Sequence, residues 1–348
     1  MTESRRLRII KQVLSEIQST NKPIGWRKIK RRFGLKDSVA KSIAQTVLDI
    51  TRLNIKPTIN IHIETPELKF ERKNNLNVFI LLSDWHIGEI VNNIEINEYD
   101  LEIAYTRILK YLNEVGNTLK LLQPKNIYIL ALGDLCSGVI HDELEDQTDV
   151  ITQVSATVYF LSLFIKTIKP TKVFGCFGNH GVFGNKKKNK NMKNNFDLLI
   201  YNITSLITNT EIETSKNPYL IVDTSIGPIF LAHGNHIMSY AGIPIYGVLR
   251  KQLFVHNLCR MKGIDIPKAT FLAHFHEPQN ITSQGENIFI NGTLMGTNEY
   301  AFKKGLICEP SQKMVVIGVD IIGEYNYNLN TVEKTTLPER ALEITKWT

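Results

Sequence analysis

The chain has 348 residues, 43% of them hydrophobic, enough for one large α/β domain with a sizeable core plus a smaller domain. Its net charge of +7 is uneven: residues 1–70 hold 15 Lys or Arg against 6 Asp or Glu, and the remainder holds 26 against 28, so the basic character belongs to the N-terminal segment. The opening Met-Thr-Glu-Ser-Arg-Arg-Leu-Arg lacks a signal peptide's apolar core, no run approaches the ~20 apolar residues of a membrane span, and Cys136, Cys176, Cys259 and Cys308 are scattered without Cys-x-x-Cys; these features exclude a disulfide framework and a zinc ribbon and predict a soluble cytoplasmic protein with buried reduced thiols.

Leu7, Ile10, Val13, Leu14 and Ile17 fall at helical spacing, and Pro23 and Gly25 close that helix. A second helix carries Trp26, Ile29 and Phe33 on one face and Arg27, Lys28, Lys30, Arg31 and Arg32 around the rest. After the turn Gly34-Leu35-Lys36, a third places Val39, Ile43, Val47 and Ile50 inward. This order predicts a helix-turn-helix module, with Lys36, Ser38, Lys41, Ser42 and Gln45 able to face a nucleic-acid groove; a helical docking module with a solvated basic face is the alternative. The alternating Asn60-Ile61-His62-Ile63-Glu64 suits an edge strand, which would add a wing, with His62 exposed. The module is placed at residues 1–70, followed by a polar linker at 71–76.

The stretch Asn77-Val-Phe-Ile-Leu-Leu-Ser-Asp-Trp-His86 reads as a buried strand ending in Asp84 and His86, which in extended backbone project from one side and can share a metal ion. The same grammar, an apolar strand followed at once by oxygen or nitrogen ligands, recurs four times. Asn126–Leu132 runs into Gly133-Asp134, Lys172–Phe177 into Gly178-Asn179-His180, Pro228–Ala232 into His233, and Ala269–Ala273 into His274-Phe275-His276. Tyr99–Leu122 and Gln147–Ile168 are the intervening helices. Strand ends on one edge of an open α/β sheet converge on one crevice, so this set describes a two-metal site with mixed oxygen and nitrogen ligands.

The ordered series Asp-x-His, Gly-Asp, Gly-Asn-His, His and His-x-His resembles the calcineurin-like metallophosphoesterase superfamily over roughly residues 77–330, most closely its SbcD-type DNA nucleases and their phage-encoded relatives. The resemblance implies an α/β fold, a four-layer sandwich of two mixed sheets flanked by helices, spanning 77–335 with a C-terminal tail at 336–348. It implies one divalent ion on Asp84, His86, Asp134 and His276 and a second on Asp134, Asn179, His233 and His274, with Asp134 as the bridging carboxylate. The ligand chemistry favours Mn²⁺, with Fe or Zn as alternatives. A hydroxide between the ions would attack phosphorus in line, and His180 would assist the leaving oxygen.

Two departures stand out. Gly181 follows His180 where family members commonly carry Asp or Glu, which puts in doubt an adjacent acidic partner for His180, and Ala273 replaces a usual Gly. His233, at its strand end, is favoured over His236 as ligand; His141 and His256 are read as structural or surface residues. The run 185–193 holds five lysines and is expected at the rim of the crevice, either holding substrate phosphates or merely solvated. The segment Asn291-Gly-Thr-Leu-Met-Gly-Thr-Asn-Glu-Tyr300 looks like one found in phage-type relatives, with no role legible from its residues. The expected function is metal-dependent hydrolysis of DNA phosphodiesters. The alternatives are a phosphatase or phosphodiesterase acting on a phosphoprotein or small nucleotide, and a non-catalytic DNA-binding or assembly protein. A homodimer or a partner ATPase is not derivable from the residues, no membrane partner is expected, and a phage-encoded chain would work in the host cytoplasm.

Overall fold

The computed structural model describes residues 5, 9–10, 12–13, 16, 24–54, 63–139, 148–183, 194–215, 217–240, 243–283, 285–331 and 334–342. Contacts divide the chain into two compact units, residues 1–58 and 59–348.

In the first unit, helix α1 (Trp26–Phe33) ends at Gly34, whose left-handed backbone (φ 61°) turns the chain into α2 (Asp37–Asn54). Ile29, Ile43 and Val47 bury against Ile9, Ile10 and Val13 of a preceding helical stretch. Lys36, Ser38, Lys41, Ser42 and Gln45 are all exposed.

The second unit is layered helix, sheet, sheet, helix. Its larger sheet runs β13-β12-β1-β4-β5-β6, from β1 (Asn74–Leu82), β4 (Pro124–Ala131), β5 (Lys172–Gly175), β6 (Ile212–Thr214), β12 (Ser311–Ile317) and β13 (Ile322–Asn328). β1, β4, β5 and β6 are mutually parallel, and β12 and β13 add antiparallel at one edge. The smaller sheet runs β10-β11-β9-β8-β7, from β7 (Leu220–Thr224), β8 (Gly227–Leu231), β9 (Ala269–Leu272), β10 (Gln279–Ser283) and β11 (Glu286–Ile290). A hairpin of β2 (Val91–Ile94) and β3 (Asn97–Tyr99) follows β1.

Strand β1 shows why the apolar runs are continuous. Val78, Ile80 and Leu82 face α3 (Leu101–Leu122), α4 (Val150–Ile168) and α5 (Phe196–Thr208), while Phe79 and Leu81 face the second sheet, where Phe271 and Phe289 meet them. Both faces are covered, so alternation disappears from the sequence. The second sheet turns Phe230, Leu272, Ile288 and Ile290 outward onto Val248, Val255 and Cys259 of α6 (Ile245–Lys262). Helix α4, the helix expected at 147–168, is by length and composition long and apolar enough to cross a membrane, contrary to the expectation that no run approaches a span, but 83% of its apolar window is buried, as in a core helix.

Three boundaries differ from the sequence reading. Ile63, Leu68 and Phe70 pack into the large core, and residues 63–73 form no strand, so this stretch goes with the second unit and not with a module ending at 70. The supposed linker 71–76 already contains the start of β1 at Asn74. At the other end Leu337, Ala341 and Leu342 join the same core, so 336–342 is folded onto the domain and is not a free tail. A polar composition at both ends hid single apolar anchors. His62, His141 and the lysine run 185–193 lie outside the described residues.

Candidate metal centre

Five strands of the two sheets, β1, β4, β5, β8 and β9, end at one edge, and the residue types expected there follow them directly. Asp84, His86 and His276 bring one ligand atom each within 4.8 Å of one another; so do Asp134, His233 and His274, and so do His86, Asp134 and His180. Asn179 and His180 line the same cleft. His86 Nε2 and His276 Nε2 face each other at 3.2 Å, and His233 Nε2 lies 2.9 Å from Asp134 Oδ2. The structure therefore brings together all seven residues read as ligands, and His180 with them. His236 enters none of these groups, and His256 sits at a distance, beside Glu286.

The local conformation is not the one expected. Extended alternation was to bring Asp84 and His86, and His274 and His276, to one side. The strands stop at Leu82 and Leu272, and all four residues, with Asp134, adopt positive φ (50°, 49°, 77°, 62° and 52°). Among the described residues, the other three non-glycine residues with positive φ, Gln123, Lys169 and Asn209, terminate helices, where left-handed backbone is routine. At the five ligand positions it is a local strain that the surroundings must hold.

The holding groups are visible. Asp84 O accepts from Leu294 N (3.0 Å) and Thr293 Oγ1 (2.9 Å), and its Oδ2 accepts from His274 N (3.1 Å). His233 Nδ1 lies 2.8 Å from Leu132 O, which directs Nε2 at Asp134. Asp134 Oδ1 accepts from His180 N at 2.7 Å, tying the third loop to the second. A β-carbon at position 178 would collide with the Asp134 carboxylate, so only glycine fits there.

Sequence reading missed three groups. Asp197, fully buried, accepts from Asp134 N (3.2 Å), Leu135 N (3.2 Å) and Gly178 N (2.9 Å), joining the Gly-Asp and Gly-Asn-His loops. Glu89, also fully buried, places Oε2 3.8 Å from His86 Nδ1 and accepts from Asn298 Nδ2 at 2.6 Å. The segment 291–298, whose role the residues left blank, braces the first ligand loop. Besides Thr293, Leu294 and Asn298, Asn291 donates to Ser83 Oγ (2.8 Å), and the buried Arg107 guanidinium donates to Leu294 O (2.9 Å) and Met295 O (2.6 Å). An acid one to three residues from a motif, or beyond a loop, carries no periodic signal; only the fold discloses it. Gly181 is explained in the same way: Asn195 Oδ1 occupies the space a side chain would need, and Phe196 N donates to Gly181 O at 2.7 Å.

Electrostatics divide the ligands. Burial pushes Asp84 upward, but the hydrogen bond and charge from His276, with His233, hold it at about 2. Asp134 is likewise held well below the ordinary carboxylate value, as His233 and His180 outweigh burial. The reciprocal effect lifts His233 to about 9 and His276 to about 10 against burial. Burial, aided by neighbouring imidazoles, drops His86 well below its usual value and His274 to about 4. Burial raises Glu89 to about 7, and burial with the Asp134 charge raises Asp197 to about 6.

The donor set fits divalent cations on a further ground. Asn179 Oδ1 is buried without a hydrogen bond, and the buried Asp84 Oδ1, Asp134 Oδ2 and His233 Nε2 meet only other members of the ligand set, Asp84 with His276 at 3.5 Å and Asp134 with His233 at 2.9 Å, a costly arrangement that a cation relieves. Two carboxylates, one amide and four imidazoles, with no thiolate among them, suit a pair of divalent ions of intermediate hardness.

The sequence profile of the calcineurin-like phosphoesterase family matches residues 78–300. Among solved structures, Vacuolar Protein Sorting 29 from Cryptosporidium parvum is similar at 14% identity, covering 75% of this chain and 96% of its own, with a TM-score of 0.39. An archaeal phosphodiesterase matches at 11% identity over 72% of this chain and 99% of its own (TM-score 0.38). A phosphoesterase-like protein of Streptococcus pneumoniae matches at 10% identity over 74% and 92% (TM-score 0.34). No curated protein sequence matches the chain. The profile covers well over half of the chain and all of the strand-end loops that carry the ligand residues, and the chain belongs to the calcineurin-like phosphoesterase family.

Proposed function

We propose that the protein is a nuclease that hydrolyses DNA phosphodiesters using two divalent ions, with Mn²⁺ the natural choice for this donor set. Asp84, His86 and His276 would hold one ion and Asn179, His233 and His274 the other, with Asp134 reaching both groups. The pair supplies Lewis acidity toward the phosphoryl oxygens and a nucleophile from water at neutral pH. The chain's own share is to fix these donors and to move a proton. His180 is half-buried at the cleft, with Nδ1 3.3 Å from Ser137 O and its backbone N–H on Asp134, so the imidazole is oriented for the leaving oxygen.

The observation that carries the choice of DNA is the pairing of this centre with a separate compact unit that is strongly basic. Residues 1–58 hold 14 Lys or Arg against 4 Asp or Glu, a net +10, while the remainder sums to −3, and Lys36 and Lys41 are exposed, between α1 and α2 and in the first turns of α2. A cationic helix-turn-helix delivers a near-neutral catalytic domain to a polyanion. The lysine run 186–193 is a second source of charge: its flanking residues pair, Phe183 N to Asn194 O at 3.1 Å, directly after His180. The resemblance of the motif series to SbcD-type and phage-encoded nucleases agrees with this reading.

The test is release of nucleotides or nicks from linear and circular DNA with Mn²⁺, compared with p-nitrophenyl phosphate, with Asp134→Asn in parallel. The reading expects DNA hydrolysis that Asp134→Asn abolishes. Turnover of the monoester without DNA would assign the protein as a phosphatase. A second measurement addresses the basic unit: Lys36→Glu/Lys41→Glu should weaken DNA binding and flatten its salt dependence; an unchanged salt slope removes that unit from DNA recognition.

A further inference from the structure

The metal centre forms the floor of a cavity of about 1120 Å³ whose outer walls carry no ligands. One wall includes Ser239 and Ile243; the other is the short helix α7 (Glu299–Lys303) and its sequel, with Tyr300, Lys304, Leu306 and Ile307. These walls are apolar and solvent-facing: Tyr300 is 60% exposed, Ile243 61% and Ile307 61%. Tyr240, whose backbone pairs with that of Ile243, and Tyr246 are more exposed still. A monomer's surface rarely leaves such side chains grouped without a ligand, and here they border the reacting centre.

The volume exceeds the roughly 300–1,000 Å³ of a typical small-ligand pocket, so the cleft holds more than a phosphate and its immediate ester. The chemistry of its walls narrows the occupant. Among the described lining residues Lys304 is the single lysine or arginine, set 5.8 Å from the Tyr300 ring centre, and Glu277 faces the same space. Duplex DNA is held mainly through its phosphates, by arrays of cations, of which the described residues of these walls supply one. They offer instead flat or branched apolar faces beside one cation, the pairing that binds a base by its face and its phosphate by charge. A base face is accessible only when the base is unstacked.

We infer that the cleft walls formed by Ile243, Tyr300, Lys304 and Ile307 are a binding site for unpaired nucleobases, so that the enzyme takes a single strand or a frayed end into the metal centre and not an intact duplex. This rests on the nuclease reading and specifies its substrate. Asn298 links the wall to the chemistry, since it caps α7 by accepting from Ala301 N (2.9 Å) while donating to Glu89 beside His86.

The experiment compares kcat/KM of the full-length Mn²⁺-loaded protein on a single-stranded oligonucleotide, the same strand with abasic sites flanking the cleaved bond, and a duplex covalently closed at both ends. We expect a loss of roughly tenfold on removing the bases, the contribution of one or two stacked bases, and a larger loss on the closed duplex. In Tyr300→Ala the loss on removing the bases should shrink to about twofold, and Tyr300→Phe should restore it. Equal rates on base-bearing and abasic strands in the wild type overturn the inference without any variant being needed, while DNA hydrolysis itself leaves the nuclease reading standing. A loss on removing the bases that persists in Tyr300→Ala moves the base site away from this wall and overturns the inference as stated. Hydrolysis of p-nitrophenyl phosphate with none of any DNA overturns both.

Discussion

Asp197 offers the most demanding test of how the centre is held, because it touches no proposed ion and acts wholly through backbone. Asp197→Ala strands three buried N–H donors, those of Asp134, Leu135 and Gly178. Each costs about 1–3 kcal/mol, a gross loss of ~3–9 kcal/mol. Against this, the substitution removes a carboxylate that burial and the Asp134 charge raise from 3.8 to about 6. That climb corresponds to ~3 kcal/mol by which ionising the group weakens the wild type at pH 7. The net expectation is a destabilisation of about 0–6 kcal/mol at pH 7, centred near ~3 kcal/mol. The sign of its pH dependence follows. A carboxylate whose folded pKa lies above its unfolded value makes the folded state progressively less stable as pH rises through the window from 3.8 to about 6. The wild type loses that stability on raising the pH and the variant does not, so the gap between them narrows toward pH 7. Urea unfolding of chelator-treated protein at pH 4.5 and 7.5 measures both quantities. A variant more stable than the wild type at pH 7.5, or a gap that widens with pH, refutes the reasoning. The same variant should lose about 10–100-fold in metal affinity by isothermal titration, since the loops of Asp134 and Asn179 are no longer tied.

His180→Gln should lower kcat on DNA by about 10²–10⁴ while leaving the metal stoichiometry unchanged in calorimetry, separating proton transfer from ligation. Chelation should lower the melting temperature of the wild type more than that of Asp84→Asn/Asp134→Asn, because only the wild type loses the stabilisation of ions held by these two carboxylates; equal shifts would mean that the ions bind elsewhere. Asn298→Ala should reduce metal affinity about tenfold, read by competition with a fluorescent chelator, because Glu89 loses its 2.6 Å donor beside His86. Burial raises Glu89 from 4.5 to about 7, so its ionisation weakens the metal-free wild type as pH rises across that range; Glu89→Gln should therefore be more stable than wild type by about 1–3 kcal/mol at pH 8 and gain little at pH 5, in thermal melts.

The sequence is most legible where side-chain type and position coincide. Apolar strands ending in Asp, Asn and His are periodic, local signals, and the structure places Asp84, His86, Asp134, Asn179, His180, His233, His274 and His276 around one cleft. The doubly covered sheet also leaves its mark, as uninterrupted apolar runs in β1 and β4. What fails to show is anything that acts through backbone geometry. Asp197 accepts from main-chain N–H groups 19 to 63 residues away, and nothing near it in sequence marks it as different from an ordinary helix N-terminal acid. The brace at 291–298 works through the carbonyl of Asp84 and the carboxylate of Glu89, and its sequence, small polar residues around one Leu294-Met295 pair, sets no period. Leu337 and Ala341 are single apolar anchors in a polar stretch, too few to set a period.

The left-handed backbone at five ligand positions gives these hidden groups a common purpose. An extended strand end would direct Asp84 and His86 along one line, spaced by the strand's own rise; turning each residue to positive φ folds the loop back so that two successive ligands face one point. Non-glycine residues adopt that conformation at a cost of about 1–3 kcal/mol each, so five of them represent a sizeable local deficit. Bonds to Asp84 O, Asp134 N, Leu135 N and His274 N fall on the strained residues or their immediate neighbours, where they oppose relaxation of the loops. The centre is thus built in two tiers, side chains that present donors and a buried polar frame that holds the backbone in an otherwise unfavourable shape, and substitutions in the frame should be felt as loss of ion affinity before loss of fold.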